Sequence, residues 1–208
     1  MRGVNQIHVK PQIGLSFAQG LRSIVRQDPD VIMIGEIRDS ETSDIAIQAA
    51  LTGHLVFSTV HTNDAPGAVT RLMDMGVESF LISSALLGVM AQRLVRVICP
   101  NCKEETPLTN AYRKEMGSIA QNIQNIYRGV GCDHCSQTGY RGRIGIYELM
   151  VVNDAIRGLI VEKSSSHIIR NKAREMGMTI LREDGWRKVT QGITTPEEVL
   201  RVTLNNEL

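Results

Sequence analysis

Four cysteines in two close pairs, Cys99-x2-Cys102 and Cys132-x2-Cys135, are the most specific chemical signal in this sequence. Each pair is a knuckle that offers two thiolates to one ion, and two knuckles supply the four ligands of a tetrahedral zinc. The pattern uses every cysteine in the chain. A four-thiolate site has no open position, so such a zinc would be a structural staple and not a catalyst. The competing reading is four unrelated free thiols. His134 lies inside the second knuckle, but a complete thiolate set leaves no place for it as a ligand.

Glu36 follows a short apolar run, Val31 to Ile34, and Gly35. A carboxylate at the carboxyl edge of a buried strand can orient an attacking water or complete a magnesium shell. It can equally pair with a neighbouring arginine such as Arg38. His61 ends a second apolar run and could sense a phosphate or position a water; His54 begins the same run and belongs at its far edge. For both histidines the alternative is a hydrogen-bonded structural imidazole. Arg22 and Arg26, one helical turn apart, could neutralise phosphate charge in cis or from a neighbouring subunit, or could simply line a solvated face. Arg141 and Arg143, in "GYRGRIG", raise the same alternatives.

These residues need elements to place them. "SFAQGLRSIVRQD" has Ser16 and Gln19 at capping-box spacing, with Phe17, Leu21, Ile24 and Val25 on one helical face. "DVIMIGEI" reads as a strand, "SETSDIAIQAALTG" as a helix, "HLVFSTVHT" as a strand and "NDAPGAVTRLMDMG" as a helix with Pro66 in its first turn. "ESFLISSALLGVMAQRLV" reads as a longer apolar helix. The alternation predicts an α/β layer with a largely parallel sheet. A polar stretch between the cysteine pairs follows, then a strand at "GYRGRIGIYELMVV". From Asp154 to Thr203 the pattern is mostly helical.

Composition excludes several classes. The net charge is +1 and the cysteine-bracketed stretch, Cys99 to Arg143, carries six basic against four acidic residues, too balanced for a nucleic-acid binder. Aromatic residues make up 4% of the chain, which leaves few platforms for stacking bases. No apolar run approaches the roughly 20 residues of a membrane helix, and the first ten residues lack the apolar centre of a signal peptide. The chain reads as cytosolic, where its thiols are kept reduced.

Taken together and in order, "GLRSIVRQDPDVIMIGEIRD", "LTGHLVFSTVHTNDA", the two cysteine pairs, "GYRGRIGIYEL" and "QGITTPEEVLRVT" resemble the type II and type IV secretion ATPases. The tail looks more like the type II secretion members than like the type IV pilus assembly ATPases. The resemblance implies a RecA-like P-loop ATPase sheet over residues 1–96, a zinc-binding domain over 97–143 and a mainly helical domain over 144–208. It implies Glu36 as the catalytic carboxylate of a Walker B box that carries Gly before it, and His61 as a residue near the γ-phosphate. Arg22, Arg26 and Arg143 match arginines that the family uses on ATP phosphates across subunit boundaries. Cys99, Cys102, Cys132 and Cys135 match its zinc ligands. ATP and Mg2+ are the implied cofactors beside zinc. The implied setting is a homo-hexamer peripheral to the cytoplasmic face of the inner membrane. There it is held by a membrane-anchored partner and a platform protein, and it drives pseudopilus assembly.

One family feature is missing: no GxxxxGK[ST] phosphate loop occurs in the 208 residues. In the family that loop lies before the segment matching Gly3 to Ile7. The expectation is a C-terminal part of the ATPase that lacks the phosphate-loop strand, exposes a sheet edge and an apolar face, and binds ATP weakly or not at all alone. A non-hydrolysing, zinc-stapled interaction module is the competing class.

Overall fold

The computed structural model describes residues 3–204, without the side chain of Pro11; the outermost residues of the two predicted end domains, 1–2 and 205–208, lie outside the described residues. In chain order the first elements are α1 (Phe17–Val25), β1 (Val31–Ile34), α2 (Ser40–Leu51), β2 (Leu55–Ser58), α3 (Ala65–Asp74), α4 (Ser79–Ala85) and β3 (Gly88–Ile98). Then come β4 (Lys103–Pro107), α5 (Asn110–Met116), β5 (Asn125–Gly129) and β6 (Tyr140–Val151). Four helices close the chain: α6 (Asp154–Val161), α7 (Ser166–Glu175), α8 (Leu181–Thr190) and α9 (Pro196–Thr203). They fold into two compact units that do not follow chain order. Met1–Thr62, Pro66–Leu87 and Val152–Lys172 form the first, and Asn63–Ala65, Gly88–Val151 and Ala173–Leu208 form the second.

The first unit is built on a βαβ crossover. β1 and β2 pair in parallel, Val31 opposite Leu55 and Ile34 opposite Ser58, with α2 as the connection. Local chemistry sets the helix ends. The Ser16 hydroxyl accepts the Gln19 N–H at the start of α1, and the Asp39 carboxylate accepts the Thr42 N–H at the start of α2. Ile32 and Ile34 turn inward and pack with Leu21, Ile37, Ala46 and Ala49. Val31 and Met33 alternate to the other face and stand exposed beside Leu55 and Phe57. The sheet is thus a buried apolar face backed by an open one.

The second unit is antiparallel. β3 pairs with β6 over nearly its whole length, from Gly88 opposite Val151 to Ile98 opposite Tyr140. β4 pairs with β5, Lys103 opposite Gly129. Here two expectations are corrected. Among the described residues the only parallel pair is β1–β2, so the sheets are not largely parallel. The long apolar helix over 78–95 ends at Ala85, and Gly88 to Ile98 is a strand. The reason is period: Val89, Ala91, Arg93 and Val95 lie inward of Gly88, Met90, Gln92, Leu94 and Arg96, which are exposed, an alternation of two that composition alone hides.

α8 and α9 belong to this unit. Trp186, Val189 and Val199 bury against Leu108, Met116, Ala120 and Ile126. Glu198, only 1% exposed, receives Arg96 from β3 and Arg201 one helical turn on, at 2.7 and 2.8 Å. Its carboxylate also accepts the Arg96 backbone N–H at 2.9 Å. Burial raises its pKa, but the Arg201 and Arg96 bonds outweigh that and hold it down at about 2.

Candidate functional site

Parallel pairing puts the carboxyl ends of β1 and β2 side by side, and the chain continues the ladder for a few residues. The Thr59 hydroxyl donates to the Gly35 carbonyl at 2.7 Å, and the Ile37 N–H donates to the Thr59 carbonyl at 2.9 Å. Glu36 and His61, 25 positions apart, therefore face each other: His61 Nε2 lies 3.1 Å from Glu36 Oε2. Arg38 Nε reaches the same oxygen at 2.6 Å. The Arg38 bond, above all, draws the Glu36 carboxyl below its ordinary pKa; partial burial opposes this and His61 adds to it. An ionised carboxylate only accepts, so the contact assigns the His61 proton to Nε2. Two donors converge on one carboxylate oxygen, which fixes the group's orientation while it stays partly open to solvent.

The Arg38 ion pair, one of the two alternatives for Glu36, is present, and the His61 contact stands beside it. His54 Nδ1 donates to the Ala49 carbonyl at 2.9 Å, which closes the end of α2 at the far end of β2. Arg22 is exposed on α1 and pairs with Glu41 at 2.7 Å. Arg26 is exposed at the end of the same helix, and Arg143 is exposed on β6 opposite Arg96, in the second unit.

The second candidate is the cysteine cluster. All four Sγ atoms lie within 4.8 Å of one another. Cys99–Cys132 and Cys102–Cys135 are separated by 3.9 Å and Cys132–Cys135 by 3.7 Å. A tetrahedral ion with metal–sulfur bonds of about 2.3 Å needs sulfur–sulfur edges of roughly 3.8 Å, so the donor set fits such an ion. Backbone N–H groups of Gly131, Cys132 and Gly139 donate to the sulfurs at 3.3 Å, which favours thiolates. Burial pushes the Cys102 thiol up to about 12. Burial also opposes ionisation of Cys135, but the Cys132 and Gly139 N–H groups and the neighbouring thiols bring it down to about 6. Cys135 ionises readily, whereas the raised Cys102 and Cys132 thiols need a cation to do so. The approach is tight: a Cβ on Gly129 or on Gly139, which has φ +76°, would strike the backbone of the other glycine.

The model of the type II/IV secretion system protein family matches residues 1–201. The chain belongs to that family. It is 55% identical to the type II secretion system protein E of Pseudomonas aeruginosa over 98% of its own length and 40% of the relative's. It is 54% identical to the type II secretion system ATPase E of Vibrio cholerae over 97% of its own length, and again 40% of the relative's. The type IV pilus assembly ATPase PilB of Thermus thermophilus is 55% identical over 97% of this chain and 23% of PilB. The chain thus spans two fifths or less of these family members. Among solved structures, the pilus retraction motor PilT, with bound ADP, superposes with a TM-score of 0.62. That match has 30% identity and covers 90% of this chain and 43% of PilT. The Legionella pneumophila ATPase DotB, at 21% identity over 91% of this chain and 42% of DotB, has a TM-score of 0.61 and shares the fold. The α/β ATPase fold of the family is therefore the fold of this chain.

Sequence reasoning missed two buried polar residues, Glu148 and Glu198. Their signal was available in part. Glu148 sits at an inward position of β6, between Ile146 and Met150, where alternation calls for an apolar residue.

Proposed function

We propose that this chain is part of an ATPase that powers type II protein secretion through pseudopilus assembly, working as a hexamer at the cytoplasmic face of the inner membrane. The observation that carries the reading is the Glu36–His61 contact, 3.1 Å across the carboxyl ends of two parallel strands, in a chain of this family. Glu36, held by His61 and Arg38, orients the attacking water. Its low pKa suits a water-orienting anion better than a strong base. His61 fixes the carboxylate and lies toward the γ-phosphate. Arg22, Arg26 and Arg143 meet ATP phosphates across subunit boundaries, and the Arg22–Glu41 pair must open for Arg22 to do so. A magnesium ion, when bound, supplies charge to the β- and γ-phosphates.

By function we divide the chain at 1–96, 97–143 and 144–208: ATPase part, metal-stapled part and helical part. The metal is a structural zinc on Cys99, Cys102, Cys132 and Cys135, supported by the tetrahedral sulfur spacing. The partners are further copies of the chain, a membrane-anchored secretion protein and the platform protein, without nucleic acid. No described helix is long and apolar enough to cross a membrane.

This sequence has no GxxxxGK[ST] loop, so the chain alone lacks the nested N–H groups and lysine that hold phosphates and is inactive. Calorimetric titration of the chain with Mg-ATP is expected to give no binding in the micromolar range; micromolar affinity would defeat the claim. One observation favours a second reading, pilus assembly: the identity to PilB equals that to the P. aeruginosa secretion protein. Complementation separates the two. The longer protein should restore export in a secretion-deficient strain and leave a pilus-deficient strain bald.

A further inference from the structure

The β1–β2 ladder ends with Ile34 opposite Ser58, just before Gly35 on one strand and Thr59 on the other. Past that point Thr59 ties the two strand ends together. Its hydroxyl donates to the Gly35 carbonyl at 2.7 Å, and its carbonyl accepts the Ile37 N–H at 2.9 Å. Thr59 thus grips the chain on both sides of Glu36, and His61 follows it by two residues. Core packing holds the same segment by its side chains: Ile34 and Ile37 are 4% and 8% exposed and pack with Leu21 and Ala46. All of these residues lie in the first compact unit. Thr59 itself is exposed, so its hydroxyl bond adds only modestly to stability. Its branched β-carbon leaves few rotamers, which keeps the hydroxyl aimed at Gly35. The bond therefore matters for geometry more than for stability.

We propose that Thr59 is a positioning residue for the Glu36–His61 pair: its hydroxyl holds the Gly35 carbonyl so that the Glu36 carboxylate stays within hydrogen-bond reach of His61. The inference rests on the reading of Glu36 and His61 as the hydrolytic pair. Thr59 acts on the backbone that carries Glu36 and not on the reacting atoms. A shift of about 1 Å there is enough to misplace the carboxylate and cost roughly a hundredfold in rate. The Ile37 bond uses only backbone atoms of Thr59, so the share of the hydroxyl can be tested alone.

The test uses the imidazole NMR signals of this chain, with His61 assigned by His61→Gln. Thr59→Val keeps the branched shape and deletes the donor, whereas Thr59→Ser keeps the donor. Thr59→Val is expected to move or broaden the His61 signals, as Glu36→Gln does, and Thr59→Ser to leave them near their wild-type positions. His54 is the control: it sits at the other end of β2, held by the Ala49 carbonyl, and its signals should stay in place. The melting temperature of Thr59→Val should stay within about 3 °C of wild type. Should Thr59→Val fail to fold, Thr59→Ala, which also deletes the hydroxyl, decides. His61 signals unchanged, or His61 and His54 moving together as in general loosening, would overturn the proposal. In the longer protein Thr59→Val should lower kcat about tenfold or more with KM within about twofold, and Thr59→Ser should restore kcat to within about threefold of wild type. Where Glu36→Gln lowers kcat, an unchanged kcat for Thr59→Val, or a Thr59→Ser variant as slow as Thr59→Val, would also overturn it. The NMR readout needs no nucleotide: if Glu36→Gln leaves hydrolysis intact while Thr59→Val moves His61, the role of Thr59 stands and the hydrolytic reading falls.

Discussion

The two chemical sites of this chain differ in how much of themselves they contain. The cysteine cluster is closed. Its four ligands fall between residues 99 and 135, they pack within 4.8 Å, and their N–H···S bonds come from the same loops. The Glu36–His61 site is open. It pairs an oriented carboxylate with a solvent-exposed histidine, and it lies on a sheet whose Val31, Met33, Leu55 and Phe57 face solvent. A structural metal site must be finished locally, because its job is to replace a core too small to hold alone. The Glu36–His61 pair is fixed instead by the parallel pairing of two strands and by exposed partners.

Breaking the closed site should have the largest effect. Cys135→Ser would remove one ligand, and a strong chelator the ion itself, from a proposed zinc site whose binding would be worth of order 10 kcal/mol. Metal analysis should fall from about one ion per chain to none, with loss of the β4–β5 strand pair by far-UV circular dichroism. A metal-free, fully folded wild-type chain would contradict this. Next comes Glu198, which sharpens the contrast because it ties the same unit together by charge. Its folded pKa of about 2 lies below the ordinary 4.5. The stabilisation is therefore complete above about pH 4.5 and is lost as pH falls toward 2, about 3 kcal/mol in all. Thermal melts from pH 5 to 2 should show that slope, and Glu198→Gln should flatten it while lowering stability at neutral pH. At the open site, the stability effects should be small. Glu36→Gln in this chain should move the melting temperature little, because both its partners are solvent-exposed. Arg22→Ala should cost least, under about 1 kcal/mol, because both partners in the Arg22–Glu41 pair are more than half exposed.

Much of this was legible in the residues. The capped starts of α1 and α2, the strands at Val31–Ile34 and Leu55–Ser58 and the four-cysteine cluster are local signals, and local chemistry decides them. The Glu36–His61 contact was legible as two strand ends, and parallel pairing supplied the rest. The helix expected over 78–95 failed because Val89, Met90 and Leu94 look helical by apolarity, whereas their strand partners Met150, Leu149 and Gly145 lie 51 to 61 positions on. Buried Glu148 was hidden for the same reason: the N–H donors it accepts, at Ala65 and Leu181, are 83 and 33 positions away. Such contacts are set by tertiary pairing, which no window of local sequence contains.

In the proposed function Glu36, oriented by His61, serves ATP hydrolysis. Steady-state hydrolysis by the longer protein with and without Glu36→Gln tests it most directly. A fall in kcat of about 10²–10⁴-fold with KM little changed is the predicted result. A variant that hydrolyses ATP within about twofold of wild type would contradict the account, since a carboxylate that orients the water cannot be replaced by an amide without loss.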